Sequence, residues 1–513
     1  MKTLLLGINA KYIHTNLAIR LLKANTKYDV EIKEFTIKDD INYIVNFIIE
    51  NEYEILGIST YIWNIEIVKN LCTELRNVNK SIIIILGGPE VSFDPNTYID
   101  NYQVDYIIVN EGENAFNQLL EYLHNGGNLN ISNLVSKDYS GTITEIKDLN
   151  CLKSPHYLPN EHSSRITYIE TSRGCPFKCS YCLASLESHV RFFDHQKVKD
   201  DILYLLNQGA RTFKFLDRTF NTNPKAAIDI FSFIIEHHKP NSSFQFEITG
   251  DILHKSIIEY LNNNAPKNLF RFEIGIQSTN IETNLEVDRI QNNKKLFDNI
   301  KLIQNGGVID LHLDLIAGLP KEDITSFANT FDEVISLRPL ELQLGFLKML
   351  KGTKLRKTAN LYGYKYSDLA PYEIISNNYL SKDDVDNIRI VEQVLEKYYN
   401  SGFMNTTINK ILDNITSPFK FFLEFGKYYQ ANFSWVNYNL HDLYIYLSSY
   451  LKQINFPILP ELMFIMKYDY LSYYKLRPKI WWQRPTKQIR NKYVNDVKSK
   501  DLVNYSLEDL YRY

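Results

Sequence analysis

Several features are scarce in this sequence, and each absence narrows the class of protein. No stretch reaches the run of about 18 apolar residues that a membrane-spanning helix needs, so no membrane segment is expected. The strand-like segment 3–8 is too short and too lightly charged at its start for a signal peptide, and we expect a cytoplasmic protein. The net charge of only −3 gives no whole-chain reason to expect binding to nucleic acid or to a membrane surface.

Cysteine is also rare, and its distribution is uneven. A secreted disulfide framework spreads an even number of cysteines along a short chain, whereas this long chain has five. Three of them fall within eight residues, which favours a metal site over disulfides. The five are Cys72, Cys151, Cys175, Cys179 and Cys182.

The first part of the chain alternates short apolar runs with amphipathic segments. Runs rich in Ile, Leu and Val indicate strands buried on both faces of a parallel sheet. This βαβαβ order predicts a doubly wound α/β domain of the Rossmann-like or flavodoxin-like type, with ligands beyond the carboxyl ends of the strands. Predicted strands are 3–6, 30–35, 55–59, 82–86 and 106–109, and predicted helices are about 16–24, 40–50, 65–77 and 113–124.

A second βα series follows a break rich in charge and proline. Six strands in about 180 residues suit a partial (β/α)6 barrel, whose active site lies at the C-terminal ends of the strands. After about residue 355 the pattern is helical and rich in Tyr and Phe. Predicted strands are 167–170, 212–216, 243–248, 271–276, 309–315 and 341–346, with helices at about 195–207, 224–237, 254–263, 291–305 and 322–336.

We therefore predict four segments. They are a Rossmann-like domain over 1–140, a linker over 141–165, a partial barrel over 166–355 and a mainly helical domain over 356–513. Within the last, 475–500 is basic and interleaved with aromatic residues, a mixture that can bind nucleic acid. The rest of the chain is not basic, so a solvated surface or a cover for the barrel mouth is the preferred interpretation, and no nucleic-acid partner is expected.

The clustered cysteines lie directly after the first barrel strand, in Glu170-Thr-Ser-Arg-Gly-Cys175-Pro-Phe-Lys-Cys179-Ser-Tyr-Cys182. Thiolates are soft ligands that favour zinc or iron–sulfur clusters. Zinc needs a fourth ligand, for which His189 and His195 are candidates, but no second pair of closely spaced cysteines exists. Three cysteines make sense if one iron of a cubane is left open to a substrate-like molecule.

Cys-x-x-x-Cys-x-x-Cys with Tyr181 before the last cysteine resembles the signature of the radical S-adenosylmethionine superfamily. The resemblance implies that Cys175, Cys179 and Cys182 hold a 4Fe–4S cluster whose fourth iron is chelated by the methionine group of S-adenosylmethionine. Reductive cleavage would then yield a 5′-deoxyadenosyl radical. A reducing partner such as flavodoxin or ferredoxin is implied as well.

Other strand ends match the same family more loosely. Phe215-Leu-Asp217 with Asn221, Phe246-Glu247, Glu273-Ile-Gly-Ile-Gln277-Ser278 and Gly318-Leu-Pro320 resemble segments that contact S-adenosylmethionine in family members. Gln277 stands where Glu is usual, and Lys321-Glu322 replaces Gly-Glu. The resemblance implies S-adenosylmethionine contacts at Tyr181, Asp217, Asn221, Glu247, Gln277, Ser278 and Gly318.

A doubly wound domain ahead of such a barrel resembles the cobalamin-binding subclass. Small residues at the strand ends let the backbone approach a large flat macrocycle. The mutase-type Asp-x-His-x-x-Gly motif is absent, so a histidine below the cobalt is not expected. The resemblance implies cobalamin contacts at Asn9, Tyr12, His14, Ser59, Thr60, Gly87, Gly88, Glu90, Glu111 and Gly112.

The resemblance implies an enzyme that uses S-adenosylmethionine and cobalamin, most often to methylate an unactivated carbon of a small-molecule or peptide substrate. Three alternatives stay open: a cobalamin-dependent radical cyclase or rearrangement enzyme, a methylthiotransferase acting on RNA or protein, and a cobalamin sensor without turnover. The methylthiotransferase needs three further cysteines, and only Cys72 and Cys151 are left. The region after 356 resembles an accessory domain of uncharacterised function found in one clade of these proteins.

Overall fold

The computed structural model describes residues 1–187 and 189–473 of the 513 in the chain. The described residues pack as two units. The first unit consists of Met1–Gly275, Asn284–Leu311 and Phe346–Ile375. The second consists of Ile276–Thr283, His312–Gly345 and Ser376–Tyr513, described as far as residue 473. The four-segment division stays a prediction.

The N-terminal sheet has seven strands in the order β2-β1-β3-β4-β5-β6-β7, of which the first five are parallel and the last two antiparallel. The doubly wound prediction is confirmed, while the final hairpin and one helix, α4, were not predicted. Strands are β1 Thr3–Asn9, β2 Glu31–Thr36, β3 Ile55–Ser59, β4 Ile83–Gly87, β5 Tyr106–Ile108, β6 Leu134–Ser136 and β7 Tyr139–Ser140. Helices are α1 Leu17–Asn25, α2 Ile41–Glu50, α3 Ile65–Val78, α4 Pro95–Tyr102 and α5 Glu113–Asn125.

Alternating residues of these strands fill two cores, one on each face of the sheet. Leu4, Leu6 and Ile8 of β1 belong to one core, and Leu5 belongs to the other. Successive side chains of a strand point to opposite faces, so a strand that is apolar throughout must be covered on both. The helices therefore lie on both sides, and the polar loops are confined to the ends of the strands.

The second βα series contains the six predicted strands within a residue or two of their predicted bounds. A short antiparallel pair, β9 and β10, and helix α9 were not predicted. Strands are β8 Ile166–Ile169, β9 Ser172–Arg173, β10 Arg191–Phe192, β11 Thr212–Phe215, β12 Ser243–Glu247, β13 Phe270–Gln277, β14 Asp310–Ala317 and β15 Glu341–Phe346. Helices are α6 His195–Asn207, α7 Pro224–His237, α8 Lys255–Asn264, α9 Ile281–Glu286, α10 Asn293–Gly306 and α11 Ile324–Ile335.

In the first unit, β8, β11, β12 and β13 pair in parallel in that order. One face of these strands is a layer of stacked phenylalanines, with Phe213 on Phe244 (4.4 Å between ring centroids) and Phe215 on Phe246 (4.2 Å). The opposite face is polar. Lys214 Nζ lies 3.0 Å from Glu273 Oε2, to which Gln245 Nε2 also donates at 2.5 Å.

The prediction of a mainly helical C-terminal part holds for the described residues except near its beginning. There two short strands, β16 Lys365–Tyr366 and β17 Ile374–Ser376, pair with each other. Their few residues follow no recognisable alternation, which is why the sequence pattern did not show them. Helices are α12 Lys354–Lys357, α13 Lys382–Val394, α14 Asn405–Leu412, α15 Pro418–Asn432, α16 Leu440–Gln453 and α17 Leu459–Tyr473.

The structure bears on the expectation about membrane segments, but not on the one about nucleic-acid binding. None of the helices in 1–187 or 189–473 has the length and apolar character needed to cross a membrane. The basic, aromatic segment 475–500, considered for nucleic-acid binding, lies outside the described residues.

At the carboxyl end of the N-terminal sheet, the closest approach between two backbone segments is at Gly88. Its φ is +117°, and a Cβ there would overlap the carbonyl oxygen of Thr60. We expect Gly88→Ala to lower the free energy of unfolding by more than about 2 kcal/mol, from left-handed backbone strain and overlap together. Gly209→Ala is the control, since Gly209 has a φ of +93° but open space around it. Urea unfolding checks both, and equal losses would contradict the overlap.

Candidate functional site

The cysteine loop begins at the carboxyl end of β8 and is fixed from two directions. Cys175 and Cys179 are buried, and Cys182 is half-buried. Between them the Ser180 N–H donates to the Val287 carbonyl at 2.9 Å, and the Ser180 carbonyl accepts from the Leu355 N–H at 2.9 Å. The loop is therefore ordered by segments far from it in sequence.

Asp217, predicted to contact S-adenosylmethionine, serves as the anchor of this loop. Its carboxylate accepts from the Thr171 N–H at 3.1 Å, the Thr171 hydroxyl at 2.6 Å and the Ser172 hydroxyl at 2.5 Å. The side chain is 1% exposed, and burial raises the pKa of Asp217 to about 6. All of these bonds hold the start of the cysteine loop.

Two further predicted S-adenosylmethionine contacts lie on neighbouring strand ends. Asn221 is buried and exchanges two hydrogen bonds with the backbone of Thr249, at 2.9 and 3.0 Å. Glu247, the last residue of β12, has Oε1 4.0 Å from Nη1 of Arg218. Asn221 thus ties two loops together, whereas Glu247 is accessible enough to meet a ligand.

The second unit contains the remaining three predicted contacts, Gln277, Ser278 and Gly318. The Ser278 hydroxyl donates to Glu322 Oε1 at 2.5 Å, and the Gly318 carbonyl accepts from Asn377 Nδ2 at 3.1 Å. Gln277 differs from both, because its buried Oε1 has no hydrogen-bond partner among the described residues. Of the three, Gln277 best keeps a polar atom for a ligand.

Arg289 was missed by the sequence interpretation, although it lies beside the cysteines. Its guanidinium donates to the Gly275 carbonyl, and Nη1 lies 3.4 Å from the Tyr181 hydroxyl and 4.0 Å from Cys179 Sγ. It follows α9, an element that was also not predicted. The role of Arg289 is visible only in the structure, where its side chain lies against the cysteine loop.

The donor set fits an iron–sulfur cluster. Three soft thiols lie on one ordered loop with a cationic guanidinium beside them, and the Thr219 hydroxyl is 3.7 Å from Cys175 Sγ. Among the described residues, no three His, Cys, Asp or Glu side chains are arranged to hold a single metal ion. Cys72 lies far along the chain in α3, and burial raises its pKa to about 12.

The loop after β1, predicted to contact cobalamin, runs along the free edge of β8. His14 forms a parallel bridge with Ile166, whose N–H donates to the Ile13 carbonyl at 2.7 Å. His14 Nδ1 is 2.6 Å from the Tyr168 hydroxyl, and burial and nearby cations lower its pKa. Asn9 Nδ2 donates to the His14 carbonyl at 3.0 Å, whereas Tyr12 is 57% exposed.

The ends of β3 and β4 form a small-residue cradle. Thr60 donates to the Gly87 carbonyl from its N–H at 2.7 Å and from its hydroxyl at 2.8 Å. The Ser59 hydroxyl accepts from Asn16 Nδ2 at 2.8 Å. With Gly88 pressed against Thr60, this end of the sheet presents backbone with little side chain, which suits the approach of a large flat ligand.

The acidic residues at the ends of β4 and β5 are engaged within the first unit. Glu90 is buried and accepts from the Tyr372 hydroxyl at 2.7 Å. Glu111 forms ion pairs with Arg173 and Arg191. Gly112 is the N-cap residue directly before α5 and packs close to Ile108. Glu90 and Glu111 therefore already have protein partners.

Tyr61 and Trp63 follow the predicted Ser59-Thr60 pair and were missed. Their rings stack at 4.4 Å with an angle of 6°, and the Trp63 indole N–H donates to the Ile8 carbonyl at 3.2 Å. Trp63 is nevertheless 45% exposed. Two aromatic residues two positions apart directly after a strand are the signal that could have indicated them.

Three family models match successive parts of the chain. Residues 3–120 match the B12 binding domain, residues 169–334 match the radical SAM superfamily, and residues 360–513 match a protein family of unknown function, DUF4080. These matches confirm the predicted combination of domains, and with it the expected cobalamin, S-adenosylmethionine and cluster.

Individual relatives resemble only parts of the chain. An uncharacterised methyltransferase, PH0819 of Pyrococcus horikoshii, is 32% identical over 30% of this chain and 37% of its own length. The cobalamin-dependent radical SAM methyltransferase TokK of Streptomyces tokunonensis is 23% identical over 34% of this chain and 28% of its own. The matches thus span about a third of the length of each of these two relatives.

A solved structure shares the fold. It is the cobalamin-dependent S-adenosylmethionine radical enzyme OxsB with aqua-cobalamin bound. The structural alignment covers 100% of this chain and 83% of the OxsB chain, with a TM-score of 0.64 and 14% sequence identity. The predicted fold class is confirmed.

We expect Glu322 to make the stability of the second unit depend on pH. It is fully buried, and burial raises its pKa from 4.5 to about 7. Its protonated form is therefore favoured on folding, so stability is complete below pH 4.5 and falls as pH rises through 7. The loss should reach about 3 kcal/mol by pH 8.

Glu322→Gln should remove this slope, measured as the free energy of unfolding against pH. Glu282→Gln is the matched control in the same unit, because Glu282 is 70% exposed and pairs with Lys321 at the surface. An unchanged slope in the Glu322 variant would contradict the assignment.

Proposed function

We propose that this chain, a radical S-adenosylmethionine protein with an N-terminal B12-binding domain, is a methyltransferase acting on an unactivated carbon of a small-molecule or peptide substrate. The observation that carries the proposal is the ordered three-cysteine loop at the end of β8, combined with the small-residue cradle of the first sheet. When bound, the cluster supplies the electron for cleavage of S-adenosylmethionine to 5′-deoxyadenosyl radical and methionine, and cobalamin supplies the methyl group.

The chain's own residues divide into binding and positioning groups. Cys175, Cys179 and Cys182 are the proposed cluster ligands, and Asp217 orients their loop through Thr171. Among the predicted contacts to S-adenosylmethionine, two have the strongest support. Glu247 of the first unit has a partly exposed carboxylate. Gln277 of the second unit has an Oε1 atom with no hydrogen-bond partner among the described residues. Tyr181, Asn221, Ser278 and Gly318 shape the surrounding loops.

Cobalamin is proposed to rest on the cradle formed by Ser59, Thr60, Gly87 and Gly88, with Trp63 beside it. The exposed indole is flat, rigid and held by its own hydrogen bond, which suits contact with a macrocycle face. His14 is less suited to bind cobalt, because the Nδ1 atom already bonds Tyr168.

The alternatives differ from this proposal in measurable ways. A cyclase or rearrangement enzyme would cleave S-adenosylmethionine without transferring its methyl group, and a sensor would bind the cofactors without turnover. A methylthiotransferase needs a second cluster, for which buried Cys72 and exposed Cys151 are too few. Flavodoxin or ferredoxin is the proposed class of electron donor.

Cys175→Ala, Cys179→Ala and Cys182→Ala should each abolish cluster binding. After anaerobic reconstitution the wild-type chain should hold about four irons and form 5′-deoxyadenosine under reducing conditions, and the variants should do neither. Cys151→Ala should match the wild type, since Cys151 is exposed and outside the loop. An intact wild-type cluster that yields no 5′-deoxyadenosine would overturn the enzymatic proposal.

Trp63→Ala should weaken binding of hydroxocobalamin by about tenfold, or ~1.4 kcal/mol, through loss of the aromatic contact. Absorbance titration measures the affinity. Trp435→Ala is the matched control, because Trp435 lies in the loop after α15, where it stacks on Tyr429 at 4.2 Å. Equal affinities for wild type and Trp63→Ala would contradict the contact.

A further inference from the structure

Arg173 lies two residues before Cys175 and joins the cysteine loop to the B12-binding domain. Its guanidinium is 3.0 Å from Glu111 Oε1 and 2.7 Å from Glu113 Oε1, at the carboxyl end of β5 and the start of α5. It also lies 3.0 Å from Glu170 Oε2, beside β8. One cation thus bridges carboxylates of two domains.

A second arginine completes the arrangement. Arg191 Nη1 is 2.9 Å from Glu111 Oε2, and the same oxygen accepts from the Ile146 N–H at 2.5 Å. Arg173 and Arg191 face each other in the short β9–β10 pair. We call Glu111, Glu113, Glu170, Arg173 and Arg191 the carboxylate clasp.

Four of the five clasp side chains are almost entirely buried, so their ion pairs lie largely away from water, while Glu170 is 19% exposed. The side chains of Glu111, Glu113 and Arg191 are 9%, 6% and 5% exposed, and that of Arg173 is 12% exposed. A charge left unpaired in such a place is strongly unfavourable.

The loop has little freedom to rearrange if the clasp is broken. Gly174, between Arg173 and Cys175, has a φ of +96°, and a Cβ there would overlap the His189 carbonyl. The loop therefore passes through one tightly enclosed conformation at this point. The ion pairs of Arg173 fix the chain on one side of Gly174, and Cys175 follows directly on the other side.

We infer that Glu111 and Glu113 are positioning residues for the iron–sulfur loop, acting through Arg173, rather than contacts for cobalamin. This inference rests on the proposed assignment of the three cysteines as cluster ligands. It makes the placement of Cys175 depend on the end of a sheet in another domain. Partners that orient metal ligands typically affect metal affinity by about 10- to 100-fold.

The test uses the full chain with Glu111→Gln, Glu113→Gln and Arg173→Lys. Each variant is reconstituted anaerobically, and the rate of iron loss to a chelator is measured beside the affinity for hydroxocobalamin. The amide variants keep the shape but remove the charge, and lysine keeps the charge but loses the fork that reaches several carboxylates. Glu121→Gln is the matched control, on the same helix α5 but in a surface pair with Lys27.

If the clasp positions the loop, each of the three variants should lose iron at least about tenfold faster than the wild type. The affinity of each variant for hydroxocobalamin should equal that of the wild type. Unchanged affinity also shows that the first domain is folded. Unchanged iron loss would overturn the inference. So would loss of cobalamin affinity in Arg173→Lys, or in both glutamine variants, because the effect would then belong to the cobalamin site or to folding. A wild-type chain that forms no cluster would instead overturn the proposed function.

Discussion

Arginine keeps its charge at any pH that a cell reaches, so a buried guanidinium has to be matched by acceptors. Arg173 meets that requirement with Glu111, Glu113 and Glu170, drawn from two parts of the chain. The pairing is possible only when the end of β5 and the end of β8 lie side by side. The order of the cysteine loop therefore depends on the same contact that brings the first sheet to the barrel strands.

Much of the fold follows from the sequence, because its signals are local. The spacing of Cys175, Cys179 and Cys182 and the apolar runs of the long strands need no tertiary information. Short elements gave no such signal. β6, β7, β16 and β17 have two or three residues each, too few for an alternation, and they exist because a partner strand is available.

The sequence pattern indicated which strand ends carry polar residues, but not what those residues bind. A polar residue that follows a parallel strand has the same sequence pattern whether it binds a ligand or a neighbouring loop. Asp217 bonds Thr171, and Asn221 bonds the Thr249 backbone, and both bonds join residues about thirty or more positions apart in the chain. Arg289 carried no motif, because its place beside Cys179 depends on the packing of a distant segment. Trp63 had only the weak signal of two aromatic residues after a strand.

The contact of residues 13–15 with β8 has a further consequence. β8 is the last strand of its sheet, and the Ile13 carbonyl and the Thr15 side chain occupy the backbone groups of Ile166. An uncovered strand edge is a template for pairing with other chains. Residues 13–15 therefore cover the start of this edge, and we expect the barrel strands to associate with one another more readily when the first domain is absent.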